Sequence, residues 1–460
     1  MNSDQEWHET CIFRSMMNRR TVLGAAAGIS AVGIASTTAE AASGRPYSAA
    51  DFGVEPNSAR DQSAALQKAI DGAAANGGYL ILPPGTYITR DLSIRTPLCL
   101  QGMPGLTRVM FLGGDHLLKA ASARNITLSG IIFDGAGKAL TGGANALVAA
   151  SDCDSLTIEQ CEFRNSSANT LALERCSGRL VHNTFTHAAD AAILATDSNG
   201  LEIADNHVHD MADNGILIWQ SEAREDGSIV SNNRIERIAN KSGGSGQWGN
   251  GINIFRAGNV IASNNRISDC AFTAIRNHSG SNVQMIANNC SRSGEAALYS
   301  EFAFEGAVIS NNVVDGAATG ISITNFNDGG RLAVCSNNLV RHLTPMPGTD
   351  KIGVGIAVEA DTVVTGNVIE DAAYAGMVLG WGRYARNISA TGNIIRRAAI
   401  GIAASAVEGA ESCLITSNII AGAGRAAILG MDHARPVTTD LAKQTAEAPA
   451  NLAISGNLVS

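Results

Sequence analysis

The chain has 460 residues, of which 45% are hydrophobic, 5% aromatic and 16% charged, with 49 glycines and a formal net charge of −9. That acidic balance excludes nucleic acid and an anionic membrane surface as natural partners, and a polyanionic substrate would need a local basic patch. Small and branched side chains with few aromatics suit one elongated domain rather than several compact ones.

Residues 18–42 read NRRTVLGAAAGISAVGIASTTAEAA: an arginine pair, Arg19 and Arg20, an apolar stretch, and an Ala-x-Ala site at 39–41. This resembles a bacterial twin-arginine signal, with Met16 or Met17 as an alternative start. The stretch is too short and too rich in Gly and Ala for a lasting membrane anchor. The resemblance implies export of folded protein by the twin-arginine machinery and work in the periplasm or outside the cell. Residues 1–41 are therefore assigned to the signal.

Residues 42–78 form an N-terminal cap. Asp61 is placed to cap a helix that carries Leu66, Ala69, Ile70 and Ala73 on one face, and Gly77-Gly78 ends it before a strand. Such a helix would cover the open edge of a first coil. The runs ADFGV, DQSAALQKAID and YLILPPGTY resemble the N-terminal portion of pectate-lyase-superfamily β-helix proteins. Lyases, hydrolases, epimerases and phage tailspikes share that fold, so the resemblance implies architecture and leaves activity open. The signal joined to a repeat is also similar to the twin-arginine-translocated repetitive β-helix proteins of bacteria.

From residue 79 to 460 the sequence repeats. Asn183, Asn206, Asn233, Asn265, Asn289, Asn312, Asn338, Asn367, Asn393 and Asn418 each precede a short apolar pair, at gaps of 23, 27, 32, 24, 23, 26, 29, 26 and 25 residues, with Asn457 closing the series. A period near 25 predicts a solenoid whose units bury their apolar faces only by stacking. Each unit carries a second alternating segment, such as NGILI, NGINI, TGISI and VGIAV, with the period of two expected of a strand. The fold predicted is an all-β parallel β-helix of roughly 14 coils, a rod of about 65 Å at about 4.8 Å per coil, with the asparagines bonded in a column. Its right-handedness follows from the family resemblance and the crossover rule.

Two insertions, 239–249 and 342–353, leave the stack at the same corner, and a third, 433–449, precedes the last strand. The final coil needs a cover, from that third insertion or from another subunit. The nine cysteines show no CxxC pair or zinc spacing, and Cys161, at a ladder position, together with Cys290, Cys335 and Cys413, reads as core.

In a solenoid, aligned repeats become spatial neighbours. If Ile216 and Ile218 point inward, Leu217 and Trp219 point outward, and the same register turns out Asn253 and Phe255, Arg276 and His278, Tyr299 and Glu301, and Glu359. Arg276 should lie beside Tyr299 and His278 beside Glu301. Such a face suits an acidic sugar chain: Arg276 would neutralise a uronate carboxylate, His278 and Tyr299 would share acid and base roles, and Glu301 would orient His278. Trp219, Asn253, Phe255, Trp248, Glu359 and Trp381 are the substrate-binding candidates. The expected chemistry is β-elimination or epimerisation.

A second cluster, Asp190 and Asp213 at the preceding corner, pairs two carboxylates one coil apart, which raises one pKa and suits a glycoside hydrolase. The run DNGI is similar to the Asn-Thr-Asp-Gly coil of polygalacturonase-type hydrolases, with Asp213 one place early, and that family's other motifs are absent. A third reading is a non-catalytic glycan-binding or envelope protein. No metal motif is present: Gly-rich nonapeptide calcium repeats are lacking, although carboxylates on adjacent coils could build a calcium site.

Overall fold

The computed structural model describes residues 46–244, 246–324, 330–444 and 448–460. The signal at 1–41 lies outside the described residues. From Pro46 on, the chain winds as a parallel β-solenoid of about 13 turns. Each full coil contributes three strands, as Leu201–Ala204, His207–Met211 and Asn214–Glu225 do. The first strands of successive coils form one sixteen-stranded sheet. The second and third strands form two further faces, which merge where one strand turns the corner unbroken, as in Val368–Leu379 and Ile394–Ser405.

The helix Ser63–Ala75 buries Leu66, Ala69, Ile70 and Ala73, the face expected, against the first coils. Gln62 rather than Asp61 is the capping residue, yet the Asp61 carboxylate still accepts the Ser63 N–H at 2.9 Å. At the other end, Arg435–Asp440 folds back antiparallel on Ala426–Asp432, and Leu441 is fully buried behind it. The third insertion thus supplies a cover for the last coils.

The interior is a set of stacked columns. Phe133, Phe163 and Phe185 stack at centroid distances of 5.0 and 4.9 Å, and Val208 and Ile235 carry the column onward. Gly215 and Gly355 open the third strand because a Cβ there would run into the carbonyl of Gly251 or Gly376 in the next coil. The described cysteines are all free, seven of them buried.

The asparagine column is continuous. Each side-chain amide donates to a carbonyl of the preceding coil and to the Oδ1 of the next asparagine, at 2.9–3.1 Å, from Asn183 through Asn418 to Asn457. Cys161 occupies the position before Asn183 and donates its backbone N–H to the Asn183 Oδ1. One register assignment is corrected: the rung between Asn265 and Asn312 is Asn288, whereas Asn289 is exposed in the strand that follows.

The corner after the second strand holds a different column. Asp210, Arg237, Asp269, Arg292, Asp371 and Arg397 all sit there with φ between 52° and 59°. They pair coil to coil, Arg237 with Asp210 at 2.7 Å, Arg292 with Asp269 at 2.6 Å and Arg397 with Asp371 at 2.7 Å.

Candidate functional site

Strand register builds the site. The outward side of the third-strand face sets Asn253, Arg276, Tyr299 and Ser322 in one column and Trp219, Phe255, His278, Glu301 and Thr324 in the next. Arg276 therefore stands beside Tyr299 and His278 beside Glu301, at the strand spacing of about 4.8 Å. Glu359 follows two coils beyond Glu301 and is buried.

The two insertions at 239–249 and 342–353 wall this face. From the first, the Gly246 carbonyl accepts the Arg276 Nη1 and the Asn250 amide, the latter at 3.0 Å. Gly246 has φ +137°, and a Cβ there would run into the Arg276 guanidinium. From the second, the Lys351 ammonium reaches to 3.6 Å from Glu295 Oε1. The floor is consequently desolvated: the side chains of Arg276 and Glu301 are only 12% and 6% exposed.

Arg276 Nε donates to Glu301 Oε1 at 2.6 Å, with Nη2 on the same oxygen. Glu301 thus anchors Arg276 instead of orienting His278, a correction to the expected role. His278 lies between the rings of Phe255 and Phe302 at 5.0 and 4.5 Å, with Nδ1 on Ser279 Oγ at 3.1 Å. Burial first, and then the Arg276 charge, hold its pKa below the ordinary value, so the ring is neutral at pH 7. Burial, reinforced by Glu301, pushes the Tyr299 hydroxyl up and keeps it protonated. Burial also raises Glu301, although Arg276 and a Tyr299 hydrogen bond pull it back.

Trp219, Phe255, His278 and Phe302 form an aromatic ridge along one side, with the Trp219 and Phe255 rings 6.0 Å apart and the Arg256 guanidinium 4.8 Å over Phe255. Trp248 sits half-buried on the first insertion. Trp381 is not part of this assembly. It lies just past Val378, four coils beyond Arg276, against His433 at 5.2 Å.

The corner column of Asp190 and Asp213 continues through Gly249 and Phe272 to Glu295, as the coil-to-coil backbone bonds show. Asp190 has its pKa raised, by burial first and by the Asp213 charge second. The Asp213 carboxylate is buried and committed: the Ser242 N–H and Oγ bond it at 2.8 and 2.6 Å, fastening the first insertion to the corner. Beside this corner a recess of about 730 Å³ is lined by His187, Asp210, Arg237 and Lys241 among others. Asp210 accepts both nitrogens of Arg237, which with His209 holds it far below the carboxylate range.

The right-handed β-helix region family matches residues 117–246 and 231–400, more than half of the sequence. The chain belongs to the right-handed β-helix family. Solved structures with a similar fold include the A-module of the Azotobacter vinelandii mannuronan C-5 epimerase AlgE6, 16% identical over 90% of this chain and 99% of that one, TM-score 0.45. A GH87 α-1,3-glucanase from Streptomyces thermodiastaticus is 15% identical over 91% and 70%, TM-score 0.48. Bacteriophage phi29 gene product 12 is 16% identical over 84% of this chain and 55% of its own, TM-score 0.51. The likeness to the phage protein shows the fold alone. No curated protein sequence matches significantly.

In this right-handed β-helix protein, sequence reasoning missed Glu295, Lys351 and Phe302. The signal for Glu295 was present, since SGEAAL aligns with HAADAAIL and MADNGILI in the same corner column. Burial raises its pKa, and its Oε2 has no hydrogen-bond partner. Other unpartnered buried atoms gather on the same coils: Trp219 Nε1, Asn250 Oδ1, Thr273 Oγ1, Ser293 Oγ and Thr324 Oγ1. Among the described residues, no three His, Cys, Asp or Glu side chains stand close enough to hold a metal ion.

Proposed function

We propose that this is an exported carbohydrate-active protein that acts on an acidic polysaccharide by β-elimination or epimerisation at the Arg276–Tyr299 face. The observation that carries the reading is a protonated, half-buried Tyr299 one coil from Arg276 and beside a neutral His278, on a floor walled by two insertions. The sugar chain would lie along the coils, its rings against Trp219, Phe255 and Phe302. A uronate carboxylate would be neutralised by Arg276 and Lys351, with Arg276 shared between it and Glu301. His278 takes the proton next to the carboxylate. In elimination the freed pair forms the C4–C5 double bond, and Tyr299 gives its proton to the departing O4. In epimerisation His278 keeps the proton it took, and Tyr299 delivers its own exchangeable proton to C5 from the opposite face of the ring. Export rests on the twin-arginine resemblance alone.

One observation favours a second reading. Glu295 and Glu301 are two buried carboxyls with raised pKa values, and they replace Asp190 and Asp213 as the better pair for hydrolysis, because Asp213 is held by Ser242. The test is a panel of acidic polysaccharides in deuterated buffer, read by ultraviolet absorbance, reducing ends and deuterium at C5. Absorbance with new ends signals elimination, and deuterium with neither signals epimerisation. Ends without absorbance move the assignment to Glu295 and Glu301. Silence on all three across substrates that bind leaves a glycan-binding protein.

A further inference from the structure

The outward side of the sixteen-stranded sheet changes character along the rod. Its early coils carry charge there, with Glu159, Arg179 and Glu202 turned out. From Ile229–Ser231 to Leu452–Ser455, nine strands stack in register and their two outward columns contain no charged residue. The first column is largely aliphatic, with Ile229, Ile261, Val308, Val334, Val363 and Leu414. The second is largely hydroxyl, with Ser231, Ser263, Thr365 and Thr391. Ile229, Val334, Val363 and Leu414 are 43%, 40%, 41% and 40% exposed. Ion pairs line one border, Arg331 with Glu305 and Arg386 with Asp361.

Two adjacent outward columns that stay free of charge over nine strands are unexpected in a chain with 33 basic and 42 acidic residues. Extended aliphatic patches rimmed by polar groups mark interfaces. With no charge to offer, the strip gives a polyelectrolyte no hold. Its size points to a particular occupant. Nine strands about 4.8 Å apart, crossed by about 12 Å of strand, cover about 500 Å². Two such surfaces together bury about 1,000 Å², the lower bound for a specific protein–protein interface. An identical surface is also the one partner whose ridges repeat at the same coil spacing, so knobs and gaps match along the whole strip.

The geometry points to a homodimer in which two copies pack this sheet face to face about a twofold axis, aliphatic column against aliphatic column. The interface is remote from the Arg276 face and does not depend on its chemistry. The experiment is sedimentation equilibrium on the full chain over a concentration series reaching about 100 µM, with V334E/V363E as the disrupting variant and R266E, exposed on another face, as the control. The expected result is a dimer for wild type and R266E, and a dissociation constant at least tenfold weaker for V334E/V363E. Far-UV circular dichroism identical to wild type shows that the variant still folds, and V334T/V363T serves in its place if it does not. A monomeric wild type, or a dimer indifferent to both variant pairs, overturns the proposal. So does a monomer that binds insoluble polysaccharide through this face.

Discussion

The asparagine corner and the Arg276 recess are built from the same coils and obey opposite rules. Along the corner every side-chain amide from Asn183 to Asn418 has its partners above and below, at distances that hardly vary. In the recess, buried groups stand without partners, and Glu295, Tyr299 and Glu301 are forced toward their neutral forms. A polar group fully satisfied in one state holds that state. A polar group left short carries a cost that the surrounding structure must bear. The difference separates what keeps the rod together from what it does.

Four substitutions, with Asn289→Ala as a control, sharpen that contrast, from the largest effect to the smallest. Tyr299→Phe should lower kcat/KM on the substrate that responds by about 10²- to 10⁴-fold while leaving the melting temperature near wild type. A variant with full activity would remove Tyr299 from the mechanism. Asn288→Ala should cost about 3 kcal/mol in chemical denaturation, because the Asn265 N–H and the Ala262 carbonyl each lose a buried partner. Its neighbour Asn289→Ala should change stability by less than about 0.5 kcal/mol. Equal losses at the two positions would break the register correction.

Glu295→Gln should do the reverse of the ladder mutation. A carboxyl whose folded pKa is raised binds more protons folded than unfolded, so stability falls as pH rises from the unfolded pKa through the folded one. The amide removes that slope and should leave the protein more stable than wild type above neutral pH, while activity drops. The sign opposes that of Asp134, where Asn165, Arg164 and Arg108 outweigh burial and hold the carboxyl low, so its contribution disappears as pH falls. Apart from the Asn289→Ala control, Ser242→Ala is the mildest: losing the hydroxyl bond to Asp213 should cost about 1 kcal/mol and loosen the first insertion, seen as a higher KM with kcat little changed. For wild type, kcat/KM should fall on the acid side only below the ordinary histidine pKa, because burial and Arg276 depress His278.

How much of this was legible follows from periodicity. The outward columns were, because alternation within a strand and alignment between repeats fix which residues meet, down to Arg276 beside Tyr299. The slip from Asn288 to Asn289 has a local cause. In the coils on either side an asparagine with positive φ precedes the rung, as Asn264 and Asn311 do, but here Ala287 takes that position and the visible Asn pair starts one residue late. Lys351 could not be placed, because an insertion has no repeat to align it and its reach is set by packing. The same holds for Glu301, whose partner was decided by guanidinium geometry rather than by column.

The alternating column of Asp210, Arg237, Asp269, Arg292 and their successors bears on a problem peculiar to repetitive chains. Coils this alike could stack on the wrong neighbour during folding, since aliphatic interiors fit one another almost interchangeably. Bringing the coil of Asp210 directly onto that of Asp269 would set carboxylate against carboxylate, and Arg237 onto Arg292 guanidinium against guanidinium. Over those coils the corner therefore works as a parity check written in charge: it adds little to the finished rod at its exposed surface, but it penalises a stack that skips a single turn.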